Sequence, residues 1–203
     1  MADALLRRAA FIDRDGVINE ERNHVHRIED FVLLPGALQG LLRLQQGGYL
    51  LIVVTNQAGI GRGLYTAADY ETLTGYMLQL TRAAGIDIAA VYHCPHHPQA
   101  AVGRYRMACD CRKPAPGMLL AAARDFGLDL SRSLMIGDKR SDVEAGRAAG
   151  VGRCVLVASG HAATDCDRYA ADAWMPDLDR AAAAVLRQDA AFSQHLVAAR
   201  VPK

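Results

Sequence analysis

The chain has 203 residues, 51% hydrophobic and 22% charged, the composition of an ordinary globular protein rather than a disordered one. Its 23 Lys and Arg against 22 Asp and Glu give a net charge of +1, which argues against a dedicated binder of nucleic acid or of anionic membrane surfaces. No apolar run approaches the roughly 18 residues of a membrane span, and Asp3 stands where a secretory leader wants positive charge, so a cytoplasmic protein with no membrane partner is expected.

Ala9-Ala10-Phe11-Ile12 is a short apolar run that stops abruptly at Asp13 and reads as a buried strand. Leu38, Leu41, Leu42 and Leu44 then fall at helical spacing ahead of Gly47-Gly48, a helix stop, and residues 50–54 form a second strand. A helix is expected over 66–84, capped by Thr66 and ended by Gly85. Strands at 89–92, 134–136 and 154–157 alternate with helices at 116–126 and 141–149, and an edge strand at 173–174 precedes a helix over 177–186. The strands are apolar throughout instead of alternating, as strands covered on both faces are. The pattern predicts an α/β fold, a doubly wound, mostly parallel Rossmann-like sheet forming one domain over residues 1–188. Residues 189–203 are expected to be a mobile tail with some helix, and the protein a monomer.

In such a sheet the ligand lies outside the carboxyl ends of the strands, so the residues just past each strand carry the chemistry. Here they are Asp13-Arg14-Asp15-Gly16, Thr55-Asn56-Gln57 and Gly137-Asp138-Lys139, with Asp142 one turn later. Any one Asp in such a place is commonly a turn or capping residue, but several in register at different strand ends is a stronger pattern. Asp13, Asp15 and Asp138 would form a hard, oxygen-rich pocket suited to Mg²⁺. A carboxylate beside Mg²⁺ can attack phosphorus, a second can protonate the leaving oxygen and later activate water, and Thr55 and Lys113 would donate to the non-bridging oxygens.

The stretch from 94 to 116 is too long to lie structureless inside a compact domain without a function or a staple. Three of the five cysteines fall in it. Cys94-x-His96 and Cys109-x-Cys111 each put two ligands on one side of an extended backbone, and together they can close a tetrahedron around a structural Zn²⁺. Iron or a redox pair is the alternative, though a redox pair leaves Cys94 and His96 unexplained. His93 and His97 are spare ligands, and Cys154 and Cys166 read as small buried residues. The zinc loop, 94–111, runs directly into Arg112 and Lys113, so zinc would aim the phosphate-binding lysine.

Phe11-Ile12-Asp13-Arg14-Asp15-Gly16, Val54-Thr55-Asn56-Gln57, Arg112-Lys113-Pro114 and Ile136-Gly137-Asp138-Lys139 resemble the four ordered motifs of the haloacid-dehalogenase (HAD) phosphohydrolases, over residues from about 9 to 160. The resemblance implies Asp13 as the nucleophile forming an aspartyl-phosphate and Asp15 as general acid and base. It implies Mg²⁺ held by the Asp13 and Asp138 carboxylates and the Asp15 carbonyl, phosphate held by Thr55 and Lys113, and Asp142 in support. Cys-Pro-His-His-Pro followed by Cys-x-Cys-Arg-Lys-Pro, with Arg62-Gly63, looks more narrowly like the D-glycero-D-manno-heptose-1,7-bisphosphate 7-phosphatases. That implies removal of the 7-phosphate from a small phosphorylated sugar on the route to nucleotide-activated heptose for lipopolysaccharide. Glu21, Arg22, Asn23, His24, Asn56, Gln57, Arg62, Arg112 and Lys139 are then the expected substrate contacts, with Arg22, Arg62 and Arg112 reaching the distal phosphate. Glu21-Arg22-Asn23-His24 departs from the family's usual loop. Histidinol phosphate or another small sugar phosphate is the alternative substrate. A phospho-receiver module would carry its Asp after the third strand, where this chain has His93-Cys94. A zinc-stapled phospho-binding module would not need the full set Asp13, Asp15, Lys113 and Asp138.

Overall fold

A computed structural model describes residues 7–160, 167 and 170–198. Strands β1 (Ala9–Ile12), β2 (Leu50–Asn56), β3 (Ile88–Cys94), β4 (Leu134–Gly137), β5 (Arg153–Val157) and β6 (Ala173–Met175) form one sheet. Every pairing is parallel, and the spatial order is β3-β2-β1-β4-β5-β6. The helices are α1 (Ala37–Gln46), α2 (Ala58–Gly61), α3 (Ala67–Ala83), α4 (Gly117–Phe126), α5 (Arg140–Ala149) and α6 (Leu178–Ala198).

Successive strand residues point to opposite faces, and both faces are covered. Ala10, Ile12, Leu51, Val53, Leu134 and Ile136 pack with Leu41 and Leu44 of α1, Leu73 and Met77 of α3, and Leu178, Ala181 and Val185 of α6. Their neighbours Ala9, Phe11, Ile52, Val54 and Met135 pack with Met118, Leu119 and Ala122 of α4 and Val143 and Ala149 of α5. No strand position faces water in the middle of the sheet, which is why the strand runs are apolar without alternation. Thr66 caps α3 as expected: its Oγ1 accepts from Asp69 N at 3.1 Å, while Asp69 Oδ2 accepts from Thr66 N at 2.8 Å.

β2 and β3 each run two residues further than expected, to Asn56 and Cys94, and two larger differences lie in the helices. The single turn α2 was not foreseen, because Ala-Gly-Ile-Gly carries two poor helix formers. The last helix continues to Ala198 rather than ending near 186. Asp189 gives the physical reason, since it accepts from Arg8 Nη1 and Tyr49 OH, each at 2.8 Å, and pairs with Arg153. Those three residues lie before β1, before β2 and at the start of β5, so the helix is tied to the amino end of the sheet at a position assigned to the tail. Residues 199–203 and Cys166 lie outside the described residues, and Cys154 is buried as expected. Among the described residues, no helix is long and apolar enough to cross a membrane.

The chain adds β2 and β3 on one side of β1, then crosses to add β4 on the other. A crevice therefore opens between the carboxyl ends of β1 and β4. Asp13 and Asp138 emerge there side by side.

Candidate active site

Asp13 follows β1 directly, its N–H donating to Ile136 O of β4 at 3.0 Å. Asp138 follows β4, and Asp142 stands in the first turn of α5 with Oδ2 accepting from Lys139 N at 3.0 Å. All three are buried, and they offer carboxylate oxygens within 4.8 Å of one another. Gly16, at φ +85°, makes the approach possible: a Cβ there would stand 2.3 Å from Asp138 Oδ2.

Lys113 reaches into this acidic floor from the end of the cysteine loop. Its Nζ lies 3.0 Å from Asp13 Oδ1 and 2.5 Å from Asp142 Oδ1, and donates to Val54 O at 2.8 Å. Asn56 fixes the lysine's backbone from β2, accepting from Lys113 N at 3.1 Å and donating to Lys113 O at 3.0 Å. One ammonium does not neutralise three buried carboxylates. Burial, with the neighbouring Asp142 and Asp15 against the opposing Lys113, pushes Asp13 up to about 6. Burial, with Asp13 and Asp142, pushes Asp138 up to about 8. Burial alone would lower Lys113, but the charges of Asp13 and Asp142 hold it above the usual lysine value. A cluster of hard oxygens that resists full ionisation fits a small divalent cation such as Mg²⁺.

Asp15 turns to one side of the floor. Its Oδ1 accepts from Arg14 Nε at 3.1 Å and Asn19 Nδ2 at 3.0 Å, and its Oδ2 accepts from Gln57 Nε2 at 2.9 Å. Arg14 is buried, and its Nη2 also donates to both Asp15 oxygens and to Val25 O.

Above the floor opens a cleft of about 520 Å³. Most of the expected residues line it: Asp13, Asp15, Thr55 and Lys113 below, and Glu21, Asn23, His24, Asn56, Gln57, Arg62, Arg112 and Lys139 around them. Lys139 pairs with Glu21 at 3.4 Å, Arg112 Nη1 donates to His96 O at 3.2 Å, and Arg62 Nη1 donates to His24 Nε2 at 3.0 Å. Asp138, 1% exposed, is not among the lining residues, and neither is Arg22. Arg22 turns outward to Glu20, 2.7 Å away, because Asn23 and His24 adopt left-handed backbone (φ 61° and 70°) that reverses the loop just after it.

Five lining residues were not among the expected site residues: Ala58, His97, Pro114, Ser141 and Asp142. Asp142 was expected only in support and His97 only as a spare zinc ligand. His97 Nδ1 instead accepts from Gln99 N at 3.2 Å and Ala100 N at 3.0 Å. His93 packs against Tyr70, ring centroids 4.3 Å apart. Nothing in the sequence spacing distinguished those roles.

Cys94, His96, Cys109 and Cys111 do converge. The Sγ–Sγ distances are 3.1 Å (Cys94–Cys111), 3.3 Å (Cys109–Cys111) and 3.5 Å (Cys94–Cys109), and His96 Nδ1 is 3.4 Å from Cys111 Sγ. Three thiols and one ring nitrogen gathered this closely could hold a metal ion. The register of β2 and β3 places Asn56 opposite Cys94, so the thiol cluster and the Lys113 anchor share one pair of strands.

Comparison with known proteins agrees with this geometry. A family model described as HAD-hydrolase-like matches residues 110–181. The D-glycero-beta-D-manno-heptose-1,7-bisphosphate 7-phosphatase of Escherichia coli is 45% identical over 164 residues, 81% of this chain and 86% of that one. The D-glycero-alpha-D-manno-heptose-1,7-bisphosphate 7-phosphatase of Burkholderia mallei is 48% identical over 163 residues, 80% of this chain and 82% of that one. Among solved structures, the D,D-heptose 1,7-bisphosphate phosphatase from B. bronchiseptica, complexed with magnesium and phosphate, superposes with a TM-score of 0.76 at 28% identity, covering 89% of this chain and 99% of that one.

Proposed function

Because this chain belongs to the D-glycero-D-manno-heptose-1,7-bisphosphate 7-phosphatases among the HAD-like hydrolases, we infer that it is a Mg²⁺-dependent phosphatase removing the 7-phosphate of a heptose 1,7-bisphosphate through an aspartyl-phosphate. The observation that carries this reading is Asp13, Asp142 and Lys113 at the floor of an open cleft rimmed by Arg62, Arg112 and Lys139, with the buried Asp138 carboxylate within 4.8 Å of the other two carboxylates. A carboxylate oxygen of Asp13 attacks phosphorus, and the bond from phosphorus to the sugar's C7 oxygen breaks. Asp15 gives its proton to that departing oxygen, then takes one from the water that hydrolyses the acyl-phosphate and regenerates Asp13. Lys113 and the Thr55 hydroxyl donate to the non-bridging oxygens as charge moves onto them.

Mg²⁺ suits the carboxylates of Asp13 and Asp138 with the Asp15 main-chain carbonyl, all hard oxygen donors. When bound, it offsets the repulsion between a carboxylate and a phosphate dianion. Zn²⁺ suits the closed set Cys94, His96, Cys109 and Cys111, where it would hold the loop that delivers Arg112 and Lys113. Glu21, Asn23, His24 and Asn56 line the cleft and are read as contacts for the sugar, and Arg62 and Arg112 as contacts for the distal phosphate, for which the planar guanidinium is suited. A reducing cytoplasm is in keeping with a thiol cluster of this kind.

The test is phosphate release from heptose 1,7-bisphosphate, fructose bisphosphate and histidinol phosphate, measured side by side. The heptose substrate is expected to lead histidinol phosphate in kcat/KM by at least about tenfold, or 1.4 kcal/mol of transition-state binding. Histidinol phosphate as the better substrate would overturn the assignment.

A further inference from the structure

Gln57 lines the cleft, yet its amide is fully engaged by protein. One nitrogen, Nε2, donates to Asp15 Oδ2 and to Thr55 Oγ1, both at 2.9 Å, and Oε1 accepts from Tyr65 OH at 2.5 Å. Gln57 and Tyr65 are both buried, 2% and 6% exposed.

The two N–H bonds have separate consequences. The first shares Oδ2 of Asp15 with Arg14 Nη2, while Oδ1 is held by Arg14 and Asn19, so Gln57 helps to set how the carboxyl faces the cleft. The second occupies a lone pair on Thr55 Oγ1. A hydroxyl that is accepting along one direction sends its own proton along another, and the open direction here is the cleft. A single amide thus prepares a proton carrier and a phosphate donor at once.

An amide can turn over, and the turned form would set Oε1 against a carboxylate oxygen. Tyr65 adds a lock from behind. Burial raises the phenol well above its ordinary value, so it stays protonated and donates to Oε1. The ring is confined as well: it stacks on His26 with centroids 4.9 Å apart and planes 5° apart. On another side lies Gly59, where a Cβ would stand 2.1 Å from Tyr65 Cε1, so only glycine leaves space for this ring.

We propose that Tyr65 and Gln57 are positioning residues for the phosphatase reaction: Tyr65 fixes the Gln57 amide, and Gln57 orients the Asp15 carboxyl and the Thr55 hydroxyl. The proposal rests on the reading of Asp15 as the acid that protonates the leaving oxygen, and the leaving group therefore provides the test. An alkyl phosphate needs that proton in the first step, whereas p-nitrophenyl phosphate leaves as a stable anion without it.

Tyr65→Phe keeps the ring and removes only the lock. Its kcat/KM on heptose bisphosphate is expected to fall by about tenfold, a fraction of the 10²–10⁴ typical of general acid catalysis, and by less than about twofold on p-nitrophenyl phosphate. Gln57→Leu is expected to lose more on both substrates, because Thr55 is released too, with the alkyl substrate still the more affected. Equal losses on the two substrates, or none, would overturn the proposal. If heptose bisphosphate is itself a poor substrate of the wild type, the functional reading fails, and glycerol phosphate then supplies the alkyl leaving group for the same ratio. A second readout needs neither metal nor turnover: in ¹⁵N-labelled protein the Gln57 side-chain amide hydrogens are expected to exchange slowly with solvent, and Tyr65→Phe to speed that exchange. Fast exchange in the wild type would equally refute the lock.

Discussion

Replacing Lys113 with Met removes the ammonium that touches two of three buried carboxylates while keeping a similar apolar stem. Lys113 is 3% exposed and lies within 3.0 Å of Asp13 and 2.5 Å of Asp142, so solvent cannot take its place cheaply. Breaking a buried ion pair by deleting one partner costs about 3–5 kcal/mol. At about 2–4 °C per kcal/mol for a chain of this size, the metal-free variant is expected to melt roughly 10 °C lower at about pH 8. The loss must depend on pH. Asp13 and Asp138 are raised to about 6 and about 8, above the ordinary carboxylate value, so from that ordinary value up to the raised ones the folded protein binds more protons than the unfolded chain. Stability of the metal-free protein therefore falls as pH rises through that window, and falls more steeply without Lys113. At about pH 5.5 Asp13 and Asp138 lie below their raised values and largely keep their protons, and the difference between variant and wild type shrinks. Differential scanning calorimetry at the two pH values, with and without Mg²⁺, measures all of this, with Mg²⁺ raising the melting temperature more at the higher pH because it needs ionised ligands. A drop that is the same at both pH values would refute the charge argument and attribute the loss to packing.

Asp13→Asn is expected to abolish turnover, since uncatalysed phosphate-monoester hydrolysis is among the slowest reactions enzymes accelerate, by up to about 10²¹-fold; phosphate release by a clean preparation checks it. Metal analysis is expected to find about one zinc per chain, and Cys109→Ser to lose it with lowered activity while circular dichroism shows the sheet intact, because two apolar layers support the fold independently. Arg112→Ala is expected to erode the preference for a bisphosphate more than it slows a small monophosphate, read as the ratio of kcat/KM values. Asp189→Ala releases Arg8, Tyr49 and Arg153 together and is expected to cost about 2 kcal/mol in urea unfolding with kcat unchanged.

The strand ends were legible because Ile12-Asp13 and Ile136-Gly137-Asp138 change from apolar to acidic in one or two steps, and a sheet buried on both faces admits such a change only at its edge. The cysteine loop was legible for a similar reason, since Cys94, His96, Cys109 and Cys111 at that spacing have few other uses. Side-chain direction was not legible. Arg22 and Arg62 both stand in loops after strands, but the left-handed turn at Asn23 and His24 sends the first outward to Glu20. Gln57 was expected to meet substrate, and its engagement with Asp15, Thr55 and Tyr65 depends on a ring eight positions later that no pattern ties to it. The end of the last helix was missed because the cause, Asp189, acts through residues 8, 49 and 153.

The place of β1 at the centre of the sheet has a cost in time. It is the first strand to be synthesised, but its second neighbour is β4, and the bond from Ala9 N to Ser133 Oγ spans 124 residues of sequence. At about 5–20 residues per second, a ribosome needs on the order of ten seconds to bridge that interval. Throughout it Asp13 and Asp15 exist without Asp138 and Asp142, on a strand with one side unpaired. Closing so long a loop is slow, and an open apolar strand at the middle of an unfinished sheet invites pairing with other chains. Truncated products ending before residue 134 are therefore expected to aggregate, and the acidic floor comes into being only when the fourth strand docks.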